Sequence, residues 1–297
     1  MAAGSPTPID TDLLRSWPLP RQGGDKSDRG TVLVVGGARQ TPGAVLLAAE
    51  TALRVGAGKV QVATASDTAA ALAVALPEAF VQPLPVLHNG ELAVAGADRV
   101  VELAEKADVV LLGSGLGDPE CADLFLTQIV PRLDSLLVLD ALGTAFLTGR
   151  LDGLRHLTGR ALLTPNLTET AAMLERPEEE VGDDQLGAAR AVAEAAGAAV
   201  LSGGETSYVV APQGHSWSCS AGVPGLATAG SGDVKAGAVA GLLARGATPE
   251  QAAAWGAWAH ARAGERLARE RPGFLARDVS REIPQELHRA EEAGGSS

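Results

Sequence analysis

At 297 residues, with 46% hydrophobic and 20% charged side chains, the chain has the length and composition of one large α/β domain or two small ones, outside the disordered range. Its formal net charge of -12 argues against a nucleic-acid partner or an anionic membrane surface, since both attract basic patches. Cys121 and Cys219, the only cysteines, lie far apart without a companion histidine cluster, which argues against a disulfide framework or a zinc site.

The N-terminal stretch MAAGSPTPIDTDLLRSWPLP lacks the basic segment and apolar run of a signal peptide, and no later stretch has the length of a membrane span, so a cytoplasmic protein is expected. Residues 1–8 and 291–297 are small and polar and are expected to be disordered, leaving 9–290 as a single domain. Within it, TVLVVGG (31–37) reads as a strand closed by glycines. PGAVLLAAETALRVGAG (42–58) starts with proline and ends in glycines, as a helix does, and KVQVAT (59–64) is the next strand. Together they predict a βαβ unit with parallel strands. ADVVLLGSG (107–115), SLLVLDA (135–141) and ALLTPN (161–166) are further strands, with a helix over roughly 119–131. Each ends in glycine, aspartate or asparagine, and ligands of open α/β sheets sit beyond the carboxyl ends of strands. GSGLG (113–117) has the wrong glycine spacing for a dinucleotide fingerprint, but suits a loop whose backbone approaches a ligand.

A helix over 183–197 and a strand over 198–204 follow, then a hairpin over 207–220 with PQG at its turn. GLATAGSGDVKAG (225–237) is a glycine-rich turn running into a helix of about 233–245. A helix start leaves N–H donors unpaired and carries partial positive charge, so Gly230, Ser231 and Gly232 form a seat for a phosphate. Asp233 at this junction has two readings, a helix cap or a general base for a hydroxyl beside the phosphate. Thr248, Pro249 and Gln251 then start a helix that reaches about residue 270. Trp255, Trp258 and His260 on it are read as core packing or satisfied polar contacts.

The segments GTVLVVGGARQTPGAVLLAAETALRVGAGKVQVAT (30–64), GSGLG, GLATAGSGDVKAGAVAGLL (225–243) and RPGFLARDVSREIP (271–284) carry a resemblance. The chain resembles the ADP- or ATP-dependent NAD(P)H-hydrate dehydratases, ribokinase-like enzymes that repair hydrated nicotinamide cofactors, over roughly residues 9–289. The resemblance implies a ribokinase-like three-layer αβα sandwich with a mostly parallel central sheet. It implies that Ala44, Gly115 and Asp233 contact hydrated NADH or NADPH. The adenine nucleotide, ADP or ATP, would be held by Gly232 and by the loop of Ser202, Gly203, Gly204, Glu205 and Thr206. The implied reaction is phosphorylation of the hydroxyl on the nicotinamide ring followed by loss of phosphate. Mg²⁺ would neutralise the nucleotide oxygens.

Two positions depart from the family pattern. TPNLTE (164–169) stands where threonine-proline-histidine-proline-glycine-glutamate is usual, so Asn166 replaces a histidine near the substrate. Ser202 stands where a lysine is usual, which removes a point charge from the phosphate region. TPNLTE also resembles the asparagine-x-x-glutamate motif of ribokinase-like small-molecule kinases. Glu169 is therefore the metal-site candidate, through water, with a first-turn glutamate favoured by the helix dipole as its structural alternative. A homo-oligomer is expected. A kinase for a vitamin-like or sugar alcohol, and a catalytically weak nucleotide-binding paralogue, remain as alternatives to the dehydratase.

Overall fold

The computed structural model of the chain describes residues 4–20, 29–271 and 273–292. The strands, in chain order, are β1 (Thr7–Pro8), β2 (Thr31–Val35), β3 (Lys59–Ala65), β4 (Phe80–Leu84), β5 (Val109–Leu112) and β6 (Leu136–Leu139). They continue with β7 (Ala161–Leu163), β8 (Ala199–Ser202), β9 (Ser207–Val210) and β10 (Ser216–Cys219). One sheet holds all ten in the order β1-β10-β9-β8-β7-β6-β5-β2-β3-β4. Every pairing from β8 across to β4 is parallel, and β9 runs antiparallel to both β8 and β10.

The interior strands are nearly continuous apolar runs because both faces of a parallel sheet are covered. Val32 and Val34 of β2 point into the core on one face, Leu33 and Val35 into the core on the other. The helices are α1 (Thr11–Ser16), α2 (Pro42–Arg54), α3 (Ser66–Ala75), α4 (Ala97–Ala104), α5 (Pro119–Thr127) and α6 (Leu167–Leu174). After them come α7 (Glu178–Asp183), α8 (Gln185–Ala196), α9 (Ser231–Ala244), α10 (Pro249–Glu270) and α11 (Ala276–Glu292). α2, α9, α10 and α11 cover one face, and α4, α5 and α8 the other, giving the expected three layers.

α9 is the most enclosed of these helices, and small residues let it pack closely. A Cβ on Gly237 would lie 2.2 Å from the Ala48 carbonyl oxygen, and one on Gly241 2.6 Å from that of Ala52, so α9 lies directly on the backbone of α2. Buried Val234, Val239, Leu242 and Leu243 then anchor it, at roughly 1.5–3 kcal/mol each by area burial.

The βαβ unit, the hairpin and the Pro249 helix form where the sequence places them. Four elements carry weaker signals. β4 is an edge strand that tolerates Pro83, α3 is apolar almost all round, α4 spans only eight residues, and α11 continues through Pro284. Thr7–Pro8, expected in the disordered terminus, pairs in parallel with Trp217–Ser218 of β10. Of the residues expected to be disordered, 1–3 and 293–297 lie outside the described residues.

Candidate active site at the start of α9

The chain runs outward from β2 to β4 on one side of the sheet and from β5 to β8 on the other, so the topological switch lies between β2 and β5. Ligands of open α/β sheets bind beyond the strand ends at such a point. The two loops there are joined by hydrogen bonds. Gly37 N donates to Ser114 O at 2.9 Å, Ala38 N to Gly115 O at 2.8 Å, and the Thr41 hydroxyl to Gly115 O at 2.6 Å. Gly115 has φ +74, and a Cβ on it would lie 2.8 Å from the Ala44 side chain, so the structure brings Ala44 and Gly115 together.

α9 begins beside these loops. Gly230 is its N-cap, with φ +86, and no side chain caps the helix. The Ser231 N–H donates to Thr228 O, while the N–H groups of Gly232 and Asp233 have no acceptor among the described residues. The Ser231 hydroxyl turns inward to Nε2 of His260 at 2.9 Å, so of the three phosphate-seat residues Ser231 spends both polar groups on structure. His260 is buried and its pKa is pushed down to about 3, first by burial and then by the charge of Lys235, so it stays neutral. That settles His260 as the satisfied polar contact expected; Trp255 and Trp258 are buried beside it in the core. Asp233 makes no capping bond, which removes the first of its two readings.

A cavity of about 240 Å³ opens at this point, its lining including Asp140, Asn166, Glu169, Asp233, Lys235 and the glycines Gly203, Gly230 and Gly232. The parallel sheet brings these groups together from the ends of β6, β7 and β8. Asp140 is buried and accepts from the Thr164 hydroxyl at 2.7 Å and the Ser114 hydroxyl at 3.0 Å. Burial raises its pKa against those bonds. Ala141, next to it, holds a positive φ of 49, unusual for a residue with a Cβ.

Glu169 closes a capping box with Asn166. Its carboxylate accepts from Asn166 N at 2.9 Å and from Asn166 Nδ2 at 2.8 Å, and Asn166 Oδ1 accepts from Glu169 N at 2.8 Å. The first-turn reading of Glu169 is therefore realised, yet the residue also faces the cavity. Burial raises its pKa to about 7 against the Asn166 bond, with a further push from Asp140. Asp233 is likewise raised to about 7, by burial first and then by the charge of Asp140.

Of the loop expected to hold nucleotide, Gly203 lines this cavity, whereas Gly204, Glu205 and Thr206 are not among its lining residues. Ser202 is buried on the other face of β8, its hydroxyl accepting from Gln185 Nε2 at 3.0 Å. Lys235, which sequence reasoning passed over, supplies the one positive charge. Its only signal was its place two residues after Asp233.

The groups present fit one kind of metal site. No set of three or more His, Cys, Asp or Glu among the described residues could hold an ion unaided. Mg²⁺ with nucleotides ordinarily takes one or two carboxylates, water and phosphate oxygens. Three carboxylates against one ammonium leave the cavity short of positive charge, which suits that arrangement, and Glu169 is one of the three.

Comparisons with known proteins converge. A family model described as NAD(P)H-hydrate dehydratase matches residues 32–285. A protein of Xanthomonas campestris named ADP-dependent (S)-NAD(P)H-hydrate dehydratase is 41% identical over 285 residues, 95% of this chain and 96% of its own length. The bifunctional NAD(P)H-hydrate repair enzyme of Escherichia coli is 34% identical over 93% of this chain, which spans about half, 52%, of that protein. Among solved structures, the ADP/ATP-dependent NAD(P)H-hydrate dehydratase of Bacillus subtilis, co-crystallised with ATP/Mg²⁺, matches in fold with a TM-score of 0.81. That match covers 97% of this chain and 99% of the other at 23% identity. Hydroxyethylthiazole kinase from Pyrococcus horikoshii matches less well, with a TM-score of 0.56. No helix among the described residues is long and apolar enough to cross a membrane.

Proposed function

The chain belongs to the NAD(P)H-hydrate dehydratase family, and from that premise we propose that it is an ADP- or ATP-dependent (S)-NAD(P)H-hydrate dehydratase, restoring hydrated NADH and NADPH. One observation carries the mechanism. Asp233 is a carboxylate free of any capping bond, with a pKa raised to about 7, beside two unpaired N–H groups at a helix start.

The hydroxyl on the substrate's nicotinamide ring lies against Asp233. Its oxygen attacks the terminal phosphorus of the nucleotide; an O–P bond forms, the bond to the leaving nucleotide breaks, and the proton passes to a carboxylate oxygen of Asp233. A base with a pKa near working pH serves such a transfer best. The N–H groups of Gly232 and Asp233 take up charge on the phosphoryl oxygens, as donors fixed in advance of the reaction. Phosphate then departs with the C–O electron pair, and loss of a proton from the neighbouring ring carbon restores the double bond.

Gly115, left-handed and without a Cβ, lets the dinucleotide approach the backbone beside Ala44. Asn166 is fixed by its capping box facing the same cavity. The nucleotide's phosphates lie between Gly203 and the start of α9, with the 204–206 segment beyond. Glu169 would hold Mg²⁺ through water, and the ion would supply neutralising charge to the nucleotide oxygens. The test is recovery of near-ultraviolet absorbance of the reduced nicotinamide from its hydrate, with ADP and with ATP. Stable phosphorylation of an alcohol without that recovery would replace the dehydratase by the kinase, and nucleotide binding with neither activity would leave the regulatory paralogue.

A further inference from the structure

We propose that Lys235 is the cation that holds the transferable phosphoryl group, supplied by α9 instead of by β8. The inference rests on the reading that this cavity takes the nucleotide's phosphates. Four observations on the molecule point to it.

Lys235 lines the cavity, and its ammonium lies against the bare Cα of Gly203, where an added Cβ would come within 3.1 Å of Nζ. The glycine thus leaves the space the ammonium uses. The ammonium has no close partner: Asp140 and Glu169 act on it through their charge without an ion pair or hydrogen bond. Asp140, Glu169 and Asp233 share its cavity, yet no ion pair or hydrogen bond joins Lys235 to any described residue. A cation drawn out of water needs such a partner, and an anion entering the cavity would be one.

Gly232 and Asp233, whose N–H groups are unpaired, line the same cavity, so three potential donors border one volume. Residues two apart on a helix do not share a face. The length of the lysine side chain is what carries its charge round to the cavity beside Asp233. Finally, the position expected to carry this charge, residue 202, turns its side chain to Gln185 on α8. The remaining groups near Lys235 are Cys219 of β10 and neutral His260 of α10, neither of which competes as a cation.

A contact of this kind acts on the terminal phosphate and not on the nucleoside. Calorimetric titration of the full chain with ADP and with AMP, at low and high salt, reads it directly. Lys235→Met is expected to weaken ADP binding by roughly 10–100-fold at low salt, the size of one charge-assisted hydrogen bond. AMP binding should change little, and the loss should shrink as salt rises. Lys235→Gln, which keeps a donor but not the charge, gives the same comparison should the methionine variant not fold. Lys235→Arg is expected to keep part of the preference for ADP over AMP. Equal weakening of ADP and AMP, or unchanged ADP affinity in a folded variant, overturns the assignment. Turnover of hydrated NADH by the wild-type chain is measured beside it. A wild type that binds ADP through Lys235 but restores no NADH sinks the dehydratase reading alone, whereas a dehydratase indifferent to Lys235→Met sinks this one alone.

Discussion

Asp233→Asn should raise stability while it removes activity, and both follow from the same feature. The native carboxyl is raised from 3.8 to about 7, chiefly by burial. That rise is roughly three units, so at about 1.36 kcal/mol per unit holding the charge costs up to ~4 kcal/mol, and the part of the side chain still open to solvent brings this nearer ~2. The unfolded carboxyl ionises near its ordinary value while the folded one keeps its proton to about pH 7. Wild-type stability therefore falls as pH rises between those two values, and the whole penalty stands above the upper one. Asparagine fills the same space without charge, so its advantage should be small near pH 4 and reach about 2 kcal/mol near pH 8. Urea unfolding at both pH values measures it. As asparagine cannot accept the hydroxyl proton, turnover should fall by about 10²–10⁴ with ADP affinity nearly kept. A pH-independent stability difference would mean that the carboxyl is not perturbed by its burial. Near-native turnover would mean that it is not the base.

In the wild-type chain, kcat/KM should rise as pH passes through about 7 and Asp233 loses its proton; a rate flat from mildly acid to mildly alkaline pH removes it as the titrating group. Gly232→Val should fold normally, because an added Cβ meets nothing within 4 Å, yet weaken ADP binding by crowding the N–H groups; calorimetry showing unchanged affinity would place the anion seat elsewhere. Gly237→Ala should cost about 1–3 kcal/mol, since its methyl would stand 2.2 Å from the Ala48 carbonyl oxygen and α2 must shift; an unmoved urea midpoint would contradict the close packing. Glu169→Gln keeps the capping box but loses the charge, so the Mg²⁺ concentration for half-maximal turnover should rise by about tenfold or more. No change there would return Glu169 to a purely structural role.

Local pattern in the chain determined the βαβ unit at 31–65, the hairpin at 207–219, the proline-started α10 and the glycine turn into α9. In each, the deciding interactions fall within a few residues or follow a fixed period. The family resemblance was legible for the same reason, since glycine turns and strand ends sit in short contiguous motifs. Whether Asp233 caps or reacts was undecided in the sequence, because both readings need a carboxylate at a helix start. The structure shows no side-chain capping bond there, which leaves the carboxylate available to the proposed reaction. Glu169 shows the converse, where one side chain both caps α6 and faces the cavity, so sequence alternatives that looked exclusive coexist. The electrostatics were out of reach of the sequence. Asp140, Glu169 and Lys235 are spread over almost a hundred positions, and only the parallel sheet, by ending β6, β7 and β8 side by side under α9, brings them into one desolvated volume. The sequence shows a serine where a phosphate-binding lysine is expected and another lysine two residues after Asp233. That the second lines the same cavity, its Nζ beside the bare backbone of Gly203, is a contact that helical phase and spacing along one chain segment do not encode.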